Sequence, residues 1–159
     1  MAARKPAKTV RAKKKSPAAT KAAPRKSGTA RSLALSEASP SLTVNDLEKS
    51  LGWYRDVLGF GVEETWKNDA GKISGVSLRA GNVSFMIGQD DWKKGRDRKK
   101  GEGFRLFCKT RASVDDLAKR IEAKGGRLDQ GPTDEPWGVR DISLTDPDGF
   151  KITIAADKR

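Results

Sequence analysis

The chain has 159 residues, 35% hydrophobic and 34% charged, with a formal net charge of +12, one cysteine and no histidine. That length suits one domain, no apolar run reaches the roughly 20 residues that cross a bilayer, and the charged start has no apolar stretch of the kind a secretory signal needs. Cys108 has no partner for a disulfide, which fits a reducing compartment, so the expected setting is cytoplasmic.

The charge is unevenly placed. Residues 1–36 hold eleven basic side chains and no acidic one; the remaining 22 Lys and Arg face all 21 Asp and Glu, so residues 37–159 carry a net +1. In the tail, Lys and Arg alternate with Ala, Pro, Ser and Thr, and Pro6, Pro17 and Pro24 interrupt any helix. Such a segment buries too little apolar surface to offset its chain entropy, and disorder over 1–36 is the expectation. Lys13, Lys14, Lys15, Arg25 and Lys26 would each release a counterion beside a phosphate backbone, giving non-specific nucleic-acid contact. A solvated extension and a targeting segment are the alternatives.

Residues 37–159 read as the folded part. Ser41–Val44 alternates polar and apolar residues, a short strand. Asn45 and Glu48 have the spacing of a capping box, and Leu47, Leu51, Tyr54 and Leu58 follow at helical intervals until Gly59. Three strands come next, Val62–Lys67, Ile73–Ala80 and Val83–Ile87, the last two joined by Gly81-Asn82 in a tight hairpin. After a charged, glycine-rich stretch the order repeats. Phe104–Lys109 reads as a strand, Ser113 with Asp116 as a second capping box, and Val114, Leu117 and Ile121 as a helical stripe ending at Gly125-Gly126. Arg127–Gln130, Val139–Leu144 and Lys151–Ala155 complete the chain, the last two joined by the turn Asp146-Pro-Asp-Gly149. The fold class is α+β: two βαβββ modules forming a curved mixed sheet with a concave pocket. The pattern makes Leu47, Leu51, Tyr54 and Leu58 helix-to-sheet packing, and Cys108 a small apolar strand residue.

The run from Val44 to Phe60, with Asp-Leu followed by Tyr-x-x-x-Leu-Gly-Phe, resembles the opening of the vicinal oxygen chelate superfamily. That group holds glyoxalase I, extradiol dioxygenases, and the fosfomycin and bleomycin resistance proteins. Pro136-Trp-Gly-Val-Arg-Asp141 followed by Asp146-Pro-Asp-Gly149 is similar to the ending of the bleomycin-resistance-like branch. The resemblance implies the positions where metal-dependent members carry His and Glu ligands; here they fall at Ser39, Met86, Phe104 and Thr153. None of these supplies the imidazole, carboxylate or thiolate that a divalent cation needs. The expectation is a protein without metal or other cofactor, a binder rather than an enzyme.

By the same resemblance, Met86, Phe104 and Trp137, with Ser39 and Thr153, would floor a small-molecule pocket in a homodimer with crevices at the interface. Trp92 and the loop from Lys93 to Lys100 would cover its mouth and suit an anionic or aromatic ligand. Arg140 either contacts that ligand, stacks on Trp137, or pairs with Asp141 or Asp146. An enzyme with an atypical site, glyoxalase-like or dioxygenase-like, and a nucleic-acid-associated ligand sensor anchored by the tail are the competing readings.

Overall fold

In a computed structural model of the chain, residues 37–158 are described; the tail expectations, including those on Lys13, Lys14, Lys15, Arg25 and Lys26, lie outside them. The first module runs β1 (Ser41–Val44), α1 (Leu47–Gly52), a π-helical turn (Trp53–Leu58), β2 (Gly61–Lys67), β3 (Ile73–Ala80) and β4 (Val83–Gln89). The second runs β5 (Arg105–Lys109), α2 (Val114–Ala123), β6 (Gln130–Asp134), β7 (Val139–Thr145) and β8 (Lys151–Asp157). Each module makes its own four-stranded sheet, in the order β1-β4-β3-β2 and β5-β8-β7-β6. In each the first strand pairs parallel with the last and the other pairs are antiparallel. The α+β class and the doubled βαβββ order are therefore as the sequence indicates, with two mixed sheets and no closed barrel.

Local chemistry explains most boundaries. Tyr54 and Leu58 are buried on one helical face, and Gly59, at φ 84°, ends the segment in the left-handed region that glycine enters without strain. Ala80 pairs with Val83 across the expected two-residue turn. Two boundaries differ. The first helix is capped by Asp46, whose side chain accepts from the Lys49 N–H, and not by Asn45. The sixth strand is Gln130–Asp134 and not Arg127–Gln130; it contains Pro132, which an edge strand tolerates because one side of it makes no ladder.

One apolar cluster spans both modules: Leu42, Val44, Val76, Leu78, Phe85 and Ile87 from the first sheet join Ile142, Leu144 and Ile152 from the second. Tyr54 and Phe85 meet edge to face with ring centroids 5.1 Å apart, as do Phe60 and Phe85. A Cβ at Gly126 would lie 2.6 Å from Val57 Cγ1, so the turn after α2 rests directly on the first module.

Candidate functional site

The turn Asp146-Pro-Asp-Gly149 locks the modules together. Asp148 accepts from the Asn45 N–H at 2.6 Å and from the Ser50 hydroxyl at 2.7 Å. Asp146 accepts from the Tyr54 hydroxyl at 2.7 Å and from the Phe150 N–H at 2.8 Å. Burial raises the Asp146 carboxyl above the usual carboxylate range, and the Tyr54 hydrogen bond opposes that rise. The same burial, with Asp146 alongside, pushes the Tyr54 phenol far up, so its proton stays on. These motif residues act in packing, as their patterning implies.

The stretch between the modules is a strap. Asp90 is buried and lies 2.7 Å from Lys100 Nζ, itself 4% exposed at the side chain. Nζ is paired by distance, although its approach is not that of an aligned hydrogen bond. Lys100, the Trp92 N–H and Arg98 hold the Asp90 carboxyl far below its ordinary range. Trp92 adopts φ 59° and carries the Arg96 guanidinium 4.4 Å from its ring centroid, with Lys100 Nζ at 5.2 Å. Lys93 pairs with Asp91 and Lys99 with Glu102. The basic loop read from the sequence thus spends most of its charge internally.

Alternation along the strands separates two faces in each sheet. Toward the core point Leu42, Val44, Val76, Leu78, Phe85 and Ile87 in the first, and Ile142, Leu144, Ile152 and Ile154 in the second. The opposite, open face of the first sheet carries Ser41, Thr43, Ser77, Ser84 and Met86, with Glu63 bonded to Arg79 at 2.6 Å and within 3.3 Å of both serine hydroxyls. Trp66 lies over Gly75 at the same face. The open face of the second sheet carries Arg105, Phe107, Asp141 and Thr153, with Arg105 Nη1 donating to Thr153 Oγ1 at 2.6 Å. Asp141 is 6% exposed; burial, reinforced by Glu135 and opposed by Arg105, raises its carboxyl.

The predicted site residues are therefore dispersed. Met86 lies on the open face of the first sheet, Ser39 in the exposed residues before β1, and Thr153 on the open face of the second sheet. Phe104 lies on the core side, its ring centroid 6.0 Å from that of Phe150, so the open-face neighbour at this point is Arg105. Trp92 belongs to the strap, and Trp137 is 68% exposed in the turn before β7. Arg140 points to the helix side, where Asp115 and Asp134 each hold it at 2.8 Å, in place of the expected Asp141 or Asp146. Sequence reading missed Arg105, Phe107, Asp141 and the Glu63–Arg79 pair. The period-two pattern of each strand marks their side of the sheet, but not how a bulge between Val62 and Glu64 turns Glu63 onto it.

These residues do not fit the metal that many proteins of this fold carry. Ser39, Met86, Thr153 and the open-face Arg105 offer two hydroxyls, a thioether and a guanidinium, and the open-face carboxylates Glu63 and Asp141 lie on different sheets; among the described residues no group of three His, Cys, Asp or Glu side chains gathers to hold an ion. No helix among the described residues is long and apolar enough to cross a membrane.

Comparison with known proteins agrees with this architecture. The chain resembles TnmS3, an antibiotic binding protein from Streptomyces sp. CB03234, at 25% identity and a TM-score of 0.62, over 80% of this chain and 100% of that one. TioX from Micromonospora sp. ML1 matches at 20% identity and a TM-score of 0.61, over 76% and 99%. A glyoxalase-related enzyme from Clostridium phytofermentans matches at 17% and 0.62, over 80% and 98%. No curated protein matches. The sequence model of the Glyoxalase/Bleomycin resistance protein/Dioxygenase superfamily matches residues 35–154, most of the chain, and the protein belongs to that superfamily.

Proposed function

We propose that the protein binds a small organic ligand without a metal ion, on the open faces of its two sheets, as a homodimer with the ligand crevices at the subunit interface. The observation that carries this reading is the donor set: the resemblance puts the metal-ligand positions at Ser39, Met86, Phe104 and Thr153, and with Arg105 as the open-face neighbour of Phe104 none of these side chains is a carboxylate or an imidazole. A cation would also be repelled by the Arg105 guanidinium. What these faces do offer suits an organic ligand. Phe107 is 51% exposed and Trp66 36%, unusual for large apolar side chains, beside serines, Arg105 and Thr153. Arg105 favours an anionic group, and the two aromatic rings a planar one. The ligand class of TnmS3 supports a molecule of antibiotic size.

Thermal-shift measurements against aromatic carboxylates, in excess chelator, test the proposal. A stabilisation unaffected by chelator and abolished by Arg105→Ala supports it. A stabilisation that vanishes with chelator and returns with Ni²⁺, Zn²⁺ or Fe²⁺ rejects it, and so does a protein unmoved by every ligand.

A further inference from the structure

A separate groove lies on the helix side, where the two modules meet. Its volume is about 700 Å³, inside the roughly 300–1,000 Å³ typical of sites for drug-sized ligands. Leu58, Phe60 and Val83 of the first module and Leu106, Ile152 and Ile154 of the second form its apolar walls. Three cations stand at its edge: Lys109, Arg111 and Arg120. Lys109 is neutralised by Asp157 at 2.6 Å. Arg111 and Arg120 are exposed and take part in none of the ion pairs among the described residues. The rim is thus left with two uncompensated positive charges above an apolar trough.

That combination selects its occupant. A purely apolar molecule would leave the guanidinium groups unused, and a cationic amphiphile would face both of them. A small polar anion would find Arg111 and Arg120 but leave the trough wet. We propose that the groove binds an amphipathic monocarboxylate of the fatty-acid type, its chain against the partly exposed Val83, Leu106 and Ile154 and its carboxylate at Arg111 and Arg120. Arginine suits that head, because its planar fork can meet both carboxylate oxygens. Since both modules build the walls, binding also braces one module against the other. This site is distinct from the open faces of the sheets, and the test below reads the groove alone.

Cys108 supplies the reporter. It lines the groove, is half-buried, and is the chain's single thiol, so its alkylation rate in the full-length protein measures access to that wall. Laurate below its micelle concentration, at roughly ten times its dissociation constant, slows maleimide reaction at Cys108 about tenfold by mass action. Dodecyltrimethylammonium, of equal chain length, leaves the rate unchanged. The double variant Arg111→Glu/Arg120→Glu, changed only at exposed positions, reacts at the same rate with or without laurate; Arg111→Gln/Arg120→Gln serves if the charge reversal disturbs the near-UV circular dichroism. Equal protection by the cationic amphiphile overturns the proposal, as does protection by laurate that survives in both variants. Absence of protection up to the solubility of laurate also overturns it. So does a rate that falls with protein concentration alone, which would place a second copy in the groove.

Discussion

Replacing Tyr54 with Phe tests how the modules are tied. The substitution removes one hydroxyl, whose 2.7 Å bond to Asp146 joins the first helical segment to the last turn of the chain, and leaves the ring in contact with Phe60 and Phe85. Both partners are buried, so no water replaces the lost donor. A hydrogen bond to a charged group contributes ~1.5–3 kcal/mol. For a folded part of this size, between the classes for which a shift per kcal/mol is known, that is a fall in thermal midpoint of roughly 5–15 °C. The loss depends on pH in a defined direction. Burial raises the Asp146 carboxyl, and the Tyr54 bond opposes that rise by favouring the ionised form. Without the hydroxyl the folded-state value climbs further above the unfolded one, so protonation favours the folded variant more than it favours the wild type. The gap between the two proteins is therefore full at neutral pH and narrows as pH falls through the raised Asp146 value. Urea unfolding of wild type, Tyr54→Phe, Asp146→Asn and the double variant, each followed from neutral to mildly acidic pH, measures both effects. A Tyr54→Phe loss below about 0.5 kcal/mol, the usual spread of neutral surface changes, or a loss that is constant with pH, refutes the reasoning.

Three further outcomes follow from the strap and the tail. Gly101 sits at φ 75°, and a Cβ there would sit on the Gly149 carbonyl oxygen and 2.7 Å from the Phe150 nitrogen. Gly101→Ala therefore loses more than the ~1–2 kcal/mol of a left-handed non-glycine residue, whereas Gly95→Ala, at φ 85° with open space around it, loses only that; equal losses in urea titrations contradict the packed strap. The Asp90 carboxyl is held low by Lys100, the Trp92 N–H and Arg98, so its stabilisation is present above the ordinary carboxylate value and lost as pH falls through the depressed one. Asp90→Asn accordingly melts below wild type at neutral pH and converges with it in strong acid, in calorimetric scans across pH. An anchor role for the tail requires salt-sensitive binding to duplex DNA that is lost when residues 1–32 are removed, read by fluorescence anisotropy at two ionic strengths; unchanged affinity rejects that role.

Most of the fold is legible in the sequence because its signals are local. Leu42 and Val44 alternate as a half-buried strand does, Ser113 accepts from the Asp116 N–H as a cap should, and Gly81-Asn82 closes a two-residue hairpin. The failures are those in which a distant partner decides. The Asn45–Glu48 spacing suggests Asn45 as the cap, whereas the Asp46 side chain accepts from the Lys49 N–H and the Asn45 N–H is held by Asp148, 103 residues away. Gly131-Pro132 reads as a breaker, yet it lies in an edge strand whose pairing with β7 is fixed by the Thr133–Asp141 and Asp134–Arg140 register.

The candidate site was less readable for the same reason. One residue of strand register separates Phe104, on the core, from Arg105, on the open face, and a one-residue slip exchanges the two faces of a sheet. For Arg140 the sequence offers the neighbouring acids Asp141 and Asp146, but its partners Asp115 and Asp134 come from α2 and β6. The strap's cations read as a basic mouth, but Arg98 and Lys100 pair with Asp90 at the start of the same loop, Lys93 with Asp91 and Lys99 with Glu102.

The central claim is that this member of the superfamily holds an organic ligand and no catalytic metal. Native mass spectrometry of the full chain, after incubation with Ni²⁺, Zn²⁺ or Fe²⁺ and desalting, tests it most directly. The expected result is a dimer that retains no stoichiometric metal and takes up aromatic carboxylates equally well before and after treatment with chelator. One metal ion retained per chain, with ligand uptake dependent on it, would contradict the account.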